Sequence, residues 1–248
     1  MKLTKTFPLI AGLLGFAMTS ADSTAATGPV TTVKTGADLV RKIRDMRPAR
    51  SLSNTGIMKI ERPSGGTYKV PVYLKTIAGR ENWQNVYGTT TSPTLLIIQS
   101  HDFANQYRVL PPQGIKAPVD LNQARAIRNP MVPFAGSDFW LFDLGLGFIH
   151  WPMQKLHGTE YRRTQKCYKL ESTNPTPNRG YSRVVSWVDM DTLGIVLAEA
   201  YDTQGKLMKV FKPKKFFKDK GRWQLKEMEM RDERTDSITT LIFDRPVE

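Results

Sequence analysis

Between Tyr181 and Phe243 apolar and polar positions fall into short runs separated by turn signals. Runs rich in Val, Ile, Leu, Tyr, Trp and Phe cover Arg183–Val188, Gly194–Tyr201, Leu207–Phe217, Arg222–Met230 and Ile238–Phe243. Between them stand Asp189-Met190-Asp191-Thr192, Asp202-Thr203-Gln204-Gly205 and Lys218-Asp219-Lys220-Gly221. Asp, Asn and Gly favour reverse turns because they bond their own backbone or accept positive φ. In Lys226-Glu227-Met228-Glu229-Met230 polar and apolar positions alternate, so one face is wet and the other covered. The pattern predicts an antiparallel meander of long strands, which the upstream chain must complete or cover.

Upstream, strand-like runs cover Gly56–Arg62, Thr67–Ala78, Asn82–Thr89 and Thr94–Gln99, with a shorter one at Asn105–Leu110. Ser64-Gly65-Gly66 is a hairpin turn. Pro71 lacks a donor and demotes part of its run to an edge or a bulge. Ahead of these strands Thr35 caps a helix over Gly36–Arg47, with Asp38 at the capping-box position. Val40, Ile43 and Met46 share one face of it, Arg41, Lys42, Arg44 and Asp45 the other, and Pro48 stops it. Such a helix either plugs the sheet or packs on one face of it. Strands resume over Gly158–Leu170, and Asn174–Asn178 reads as a surface loop.

The middle of the chain has another texture. From Leu110 to Pro152 prolines recur at Pro111, Pro112, Pro118, Pro130 and Pro133 with little period-2 pattern. A connection this long is usually functional or mobile. It contains Gly136-Ser137-Asp138-Phe139-Trp140-Leu141-Phe142-Asp143-Leu144, then Phe148, Ile149 and Trp151. One reading is a lid or lining of an apolar cavity, where aromatic rings supply area at low entropic cost. The other is a loop folded onto the core as filler.

At 248 residues and 40% hydrophobic, the chain can bury the core of one β-rich domain. Residues 1–25 read as a signal peptide: Lys2 and Lys5 are basic, Phe7–Met18 is apolar, and small residues precede the cut. Residues 26–248 are then a single domain. Cys167 is the sole cysteine, so neither a lipid-acceptor cysteine nor an intramolecular disulfide is available, which suits a bacterial periplasm. The formal charge is +13, and losing Lys2, Lys5 and Asp22 leaves +12. Such an excess attracts anionic surfaces, although a basic domain without a specific anionic partner has the same composition.

Catalytic chemistry is thin. His101, His150 and His157 lack metal-ligand spacing. There is no nucleophile elbow, and Cys167 lies in Gln-Lys-Cys-Tyr-Lys without nucleophile context. No phosphate-cradling loop opens a helix. The expectation is no cofactor and no metal. Glu227 and Glu229 share a strand face that reads as solvated. Lys209, Lys212, Lys214, Lys215, Lys218, Lys220 and Arg222 crowd one hairpin with Phe211, Phe216 and Phe217. That mixture could bind single-stranded nucleic acid, but export argues against nucleic acid. Lys212, Lys214, Lys215, Lys218 and Lys220 instead mark a face for transient docking to an anionic membrane or acidic partner. They would equally protect a sheet edge against aggregation.

The leader helix, the meander and Tyr181-Ser182-Arg183-Val184-Val185-Ser186-Trp187-Val188-Asp189-Met190-Asp191-Thr192-Leu193 resemble the LolA/LolB-type lipoprotein carriers. The nearer likeness is to the outer membrane lipoprotein-sorting protein subgroup. Its Tyr-Asp-x-x-Gly-Lys turn is matched by Tyr201-Asp202-Thr203-Gln204-Gly205-Lys206, followed by Lys209. Its Gly-Ser/Thr-Asp-Phe and Asp-Leu segment is matched by Gly136–Phe139 and Asp143-Leu144.

The resemblance implies a mainly β (α+β) fold. It is a curved antiparallel half-barrel of about 10–11 strands, with helices and a loop covering its concave apolar face. By the same analogy Phe139, Trp140, Leu141, Phe142 and Phe148 line or close the cavity, and Val185, Trp187, Ile195 and Leu197 furnish its floor. Asp138 and Asp143 fix loop backbone rather than touch ligand. The implied function is a non-catalytic periplasmic carrier of a lipid or lipoprotein acyl chain. Its implied partners are an inner-membrane lipid exporter or an outer-membrane acceptor. The alternative is a binding or sensory module of the same fold that recognises lipoproteins or a membrane protein. A third reading, a hydrolase assembled from distant residues, would need one of the three histidines.

Overall fold

A computed structural model describes residues 33–177, 180–219 and 222–244. The expected signal peptide lies outside these residues. After helix α1 (Gly36–Asp45) the chain forms β1 (Leu52–Glu61), β2 (Thr67–Ile77), β3 (Asn82–Thr89), β4 (Thr94–Ser100), β5 (Gln106–Leu110) and the short β6 (Arg125–Ala126). Helix α2 (Leu141–Leu144) and a 3-10 turn (Gly147–His150) follow. The second half supplies β7 (Met153–Arg162), β8 (Gln165–Thr173), β9 (Arg183–Asp189) and β10 (Ile195–Tyr201). It ends with β11 (Leu207–Asp219), β12 (Arg222–Asp232) and β13 (Ser237–Phe243).

These make one open, fully antiparallel sheet of 13 strands, ordered β6-β5-β4-β3-β2-β1-β13-β12-β11-β10-β9-β8-β7. The described architecture is the expected curved half-barrel, with two more strands than the upper expectation. The first and last strands meet at its centre, in register from Gly56↔Phe243 to Glu61↔Ile238. The break in the meander therefore falls between β6 and β7, at opposite edges. The chain between them has to cross the whole width of the sheet.

The turn chemistry acts as its residue types require. Asp189 Oδ1 accepts from the backbone N–H of Thr192 (2.8 Å) and from its hydroxyl (2.7 Å). Asp202 Oδ1 accepts from the N–H groups of Gln204 and Lys206. β2 pairs with β3 only from Val72 onward, so Pro71 sits on the stretch that is an edge toward β3. The stretch Gly158–Leu170 spans parts of two strands. Arg163 and Thr164 both have positive φ (47° and 71°) and form a two-residue turn between β7 and β8. Primed hairpin turns favour Gly or Asn at these positions, so Arg-Thr carried no signal.

Apolar positions divide between the two faces. The inner face joins Met58, Leu74, Tyr87, Leu95, Ile97, Leu170 and Met228 with Leu39, Val40 and Ile43 of α1 and with Phe134, Phe139 and Phe142 of the crossing segment. The outer face carries two smaller clusters. Over one of them, Tyr73, Val86, Leu96 and Leu110, the proline-rich chain lays Ile115, Val119 and Ala124. Lys75 Nζ holds that loop by the Ala117 carbonyl at 2.6 Å. The long connection thus covers the outer face first, rounds the β5–β6 edge, and crosses the inner face.

Helix α1 closes the far side by packing on β7 and the 3-10 turn. Thr35 Oγ1 accepts from Asp38 N–H, and Asp38 Oδ2 accepts from Thr35 N–H, both at 3.1 Å. Thr35→Ala removes one half of this cap and should lower the unfolding free energy by about 1 kcal/mol in urea titration.

Candidate functional site: a clasp across the inner face

The crossing segment has little regular structure and is held by side chains from both halves of the sheet. On the β3–β5 side Tyr87 donates to the Leu144 carbonyl (3.1 Å), Tyr107 to the Phe142 carbonyl (3.4 Å), and Asn105 Nδ2 to the Gly145 carbonyl (2.6 Å). At the centre Asp138 is buried. Its carboxylate accepts from Ser237 (2.6 Å), Thr239 (2.6 Å) and Arg62 (3.0 Å), while its N–H donates to Thr239 Oγ1 (2.9 Å). Asp138 thus ties the crossing segment to β13 and to Arg62.

On the β9–β11 side stands a buried ionic cluster. Asp143 Oδ2 accepts from the Trp140 N–H (2.8 Å), so it caps α2, and its carboxylate also accepts from the Tyr181 hydroxyl (3.0 and 3.2 Å). Lys209, only 1% exposed, donates to the Asp138 carbonyl at 2.6 Å and lies 3.7 Å from Asp143 Oδ2. Its ammonium sits 3.8 Å from the Trp140 ring centroid, and Tyr181 stacks on the same ring at 4.6 Å. Trp140 therefore contacts both a cation and an aromatic plane. Burial pushes the Asp143 carboxyl up against the pull of Lys209. Burial pushes the Lys209 amine down to about 8, while Asp143 and then Asp232 hold it up.

Beneath the clasp an internal cavity of about 20 Å³ remains, lined by residues including Leu146, Phe148, Tyr181, Val184, Ala198, Phe211 and Met230. That is space for about one water. Outside the clasp, between the β5–β6 edge and the 3-10 turn, a cleft of about 390 Å³ opens against Phe142 and Trp151.

Phe139, Trp140, Leu141, Phe142 and Phe148 all lie in the inner core, and so does Ile195. The floor assignment needs correction at three positions. Val185, Trp187 and Leu197 belong to an outer-face cluster with Cys167 and Val196, while their neighbours Val184, Val188, Ala198 and Ala200 face inward. A register shift between Ile195 and Leu197 breaks the alternation of β10. Trp187 is accommodated outside because Arg162 lies over its ring at 4.4 Å and Glu160 accepts from its indole N–H.

Of the docking lysines, Lys212 and Lys214 pair with Glu229 (2.7 and 3.0 Å) and Lys215 with Glu227 (2.9 Å). Burial works against the Glu229 charge, but Lys212 and Lys214 outweigh it and hold its carboxyl below the ordinary value. Lys220 and the Lys218 side chain lie outside the described residues. Cys167 is buried, and burial followed by the Asp189 charge pushes its thiol up to about 11. The histidines stay apart: His101 meets Asp45, His157 lies 3.5 Å from Glu171, and burial pushes His150 down to about 4. Tyr181, Arg62, Ser237 and Thr239 are clasp residues that sequence reasoning missed. Short polar side chains in strands carry no mark of a buried carboxylate partner.

This fold is shared with lipoprotein-sorting proteins of the LolA superfamily. An outer membrane lipoprotein-sorting protein domain from Vibrio parahaemolyticus superposes with a TM-score of 0.69 at 21% identity, over 86% of this chain and 91% of that one. A DUF1329 family protein from Desulfovibrio piger gives 0.66 at 21% identity, over 85% and 90%. A LolA superfamily protein from Nitrosomonas europaea gives 0.59 at 18% identity, over 86% and 93%. A family model described as uncharacterized protein matches residues 119–247, just over half of the chain, and the chain belongs to that family. No curated protein matches the sequence.

Lys209 should titrate near pH 8 rather than near the ordinary 10.5, as read from its Cε chemical shift. Between those values the unfolded chain holds the extra proton, so this group makes stability rise with pH there. Lys209→Met strands the Asp143 carboxylate and should cost about 3–5 kcal/mol in chemical denaturation. A normal amine titration, or a Lys209→Met loss below 1 kcal/mol, would contradict the buried-cluster account.

Proposed function

We propose that the protein is a non-catalytic periplasmic carrier that shields acyl chains of a lipid or lipoprotein on the inner face of its sheet. Residues 1–25 direct export, and residues 26–248 act as one carrier domain. The observation that carries this reading is the clasp. A continuous apolar face is covered by a separate segment rich in aromatic side chains and tied down by polar bonds at its two ends and centre. Each CH₂ of an acyl chain exposed to water costs about 0.8 kcal/mol, so a carrier needs a large apolar surface and a cover, not catalytic groups.

The cavity of about 20 Å³ is far too small for an acyl chain, so loading requires the clasp to lift. Phe139, Trp140, Leu141, Phe142 and Phe148 then pass from core filler to cavity wall, above a floor that includes Val184, Ile195 and Ala198. Contact with an anionic membrane, or with a donor or acceptor protein, is expected to be transient. At the basic hairpin Lys212, Lys214 and Lys215 already face Glu227 and Glu229.

Native mass spectrometry of the mature protein, with lipid extraction of the same sample, tests the reading. A bound species of defined mass, or saturable uptake of a fluorescent fatty acid, is expected; an empty protein that ignores the probe ends the carrier proposal. Gly147 gives a finer test, because a Cβ there would lie 2.2 Å from Phe142 Cε2. Gly147→Ala should displace the ring, lower stability by about 1–3 kcal/mol, and speed probe uptake in stopped-flow fluorescence.

A further inference from the structure

The cleft outside the clasp has a chemistry of its own. It lies between β5–β6 and the 3-10 turn, at about 390 Å³ within the roughly 300–1,000 Å³ of small-molecule sites. Its base is apolar: Phe142 stacks on Trp151 with ring centroids 5.4 Å apart, and Ile127 and Tyr107 complete it. Its polar part is cationic. Arg108 and Arg128 line it, and no acidic side chain does. Neither arginine has an ion pair among the described residues; Arg108 donates only to the neutral Gln106 side chain, at 3.3 Å. Two further lining groups, His150 Nδ1 and Asn105 Oδ1, are shielded from solvent without a hydrogen-bond partner. Burial pushes His150 down to about 4, so at neutral pH it adds polarity but no charge.

Phe142 lines the cleft and reaches toward the interior through Tyr181. One side of its ring faces the cleft and Trp151, and its edge meets Tyr181, centroids 6.2 Å apart. Tyr181 in turn lines the internal cavity. An amphiphile in the cleft would therefore rest its first methylenes on Phe142 and Trp151 and point its chain toward the interior. Its headgroup would lie at the arginines, whose planar forks suit phosphate or carboxylate oxygens.

We propose that this cleft is the headgroup site and loading port for an anionic single-headgroup lipid, with Arg108 and Arg128 holding the anion and Phe142 gating its chain. The inference rests on the carrier reading and narrows its cargo to anionic lipids. The alternation of charge and ring is what such a lipid requires, since a neutral cargo would leave two arginines facing an apolar base without a counter-ion.

The test is calorimetric titration of the mature protein, below micelle concentrations, with palmitoyl lysophosphatidylglycerol, palmitoyl lysophosphatidylcholine and glycerol 3-phosphate. The anionic lysolipid should bind about tenfold or more tighter than the zwitterionic one. Arg108→Gln/Arg128→Gln should weaken the anionic lysolipid more than the zwitterionic one and so abolish that preference. Arg128 is exposed and Arg108 half-buried, and a circular dichroism melt checks that the variant folds. Equal affinity for the two lysolipids, or a preference that survives the double substitution, overturns the headgroup site and leaves the carrier reading standing. Glycerol 3-phosphate binding as tightly as the anionic lysolipid overturns it in favour of a free-anion site. If neither lysolipid binds, the carrier reading fails and this proposal falls with it.

Discussion

The crossing segment has almost no backbone ladder to hold it, and the charges buried beneath it take the place of one. Lys209 reaches from β11 to the Asp138 carbonyl and lies against Asp143, whose carboxylate caps α2 and receives the Tyr181 hydroxyl. Asp138, a few residues away, ties the same segment to β13 and to Arg62 beside the first hairpin. Buried ions are costly unless paired and hydrogen-bonded. This cluster is satisfied only when the segment lies across the sheet in one position. The rings of Trp140 and Phe142 are placed by that requirement as much as by their own apolar contacts.

An ionic anchor also differs from an apolar one in what it requires. An apolar cover needs only contact area, whereas a clasp held by a few directional bonds is satisfied in one position. The space around the clasp is uneven. On one side lies a cleft of about 390 Å³; beneath the clasp only about 20 Å³ remains. The Phe142 ring lines the cleft and packs directly on Gly147.

Much of the fold was legible in the chain. Asn82–Thr89 is a strand at the predicted bounds, the helix begins at Gly36 behind its Thr35 cap, and the Asp189 and Asp202 turns close as their side chains require. The turn at Arg163-Thr164 was not legible, because its residues are ordinary while its backbone is not. Val185, Trp187 and Leu197 were assigned to the wrong face for two reasons. Bulky apolar residues occur on both faces of this sheet, and a bulge in β10 moves the parity by one.

Local rules reach as far as the ranges over which they act. Periodicity, caps and turn residues are near-neighbour effects, so the chain by itself determined an antiparallel meander, a capped leader helix and an aromatic-rich connection. The pairing of β1 with β13 sent that connection across the inner face, and only tertiary structure could decide it. Loop closure over nearly two hundred residues leaves no local trace. The same holds for Lys209. Its sequence neighbours are strand residues and further lysines, and it lost its solvent only because Asp138, Trp140 and Asp143 arrived from the far side of the fold.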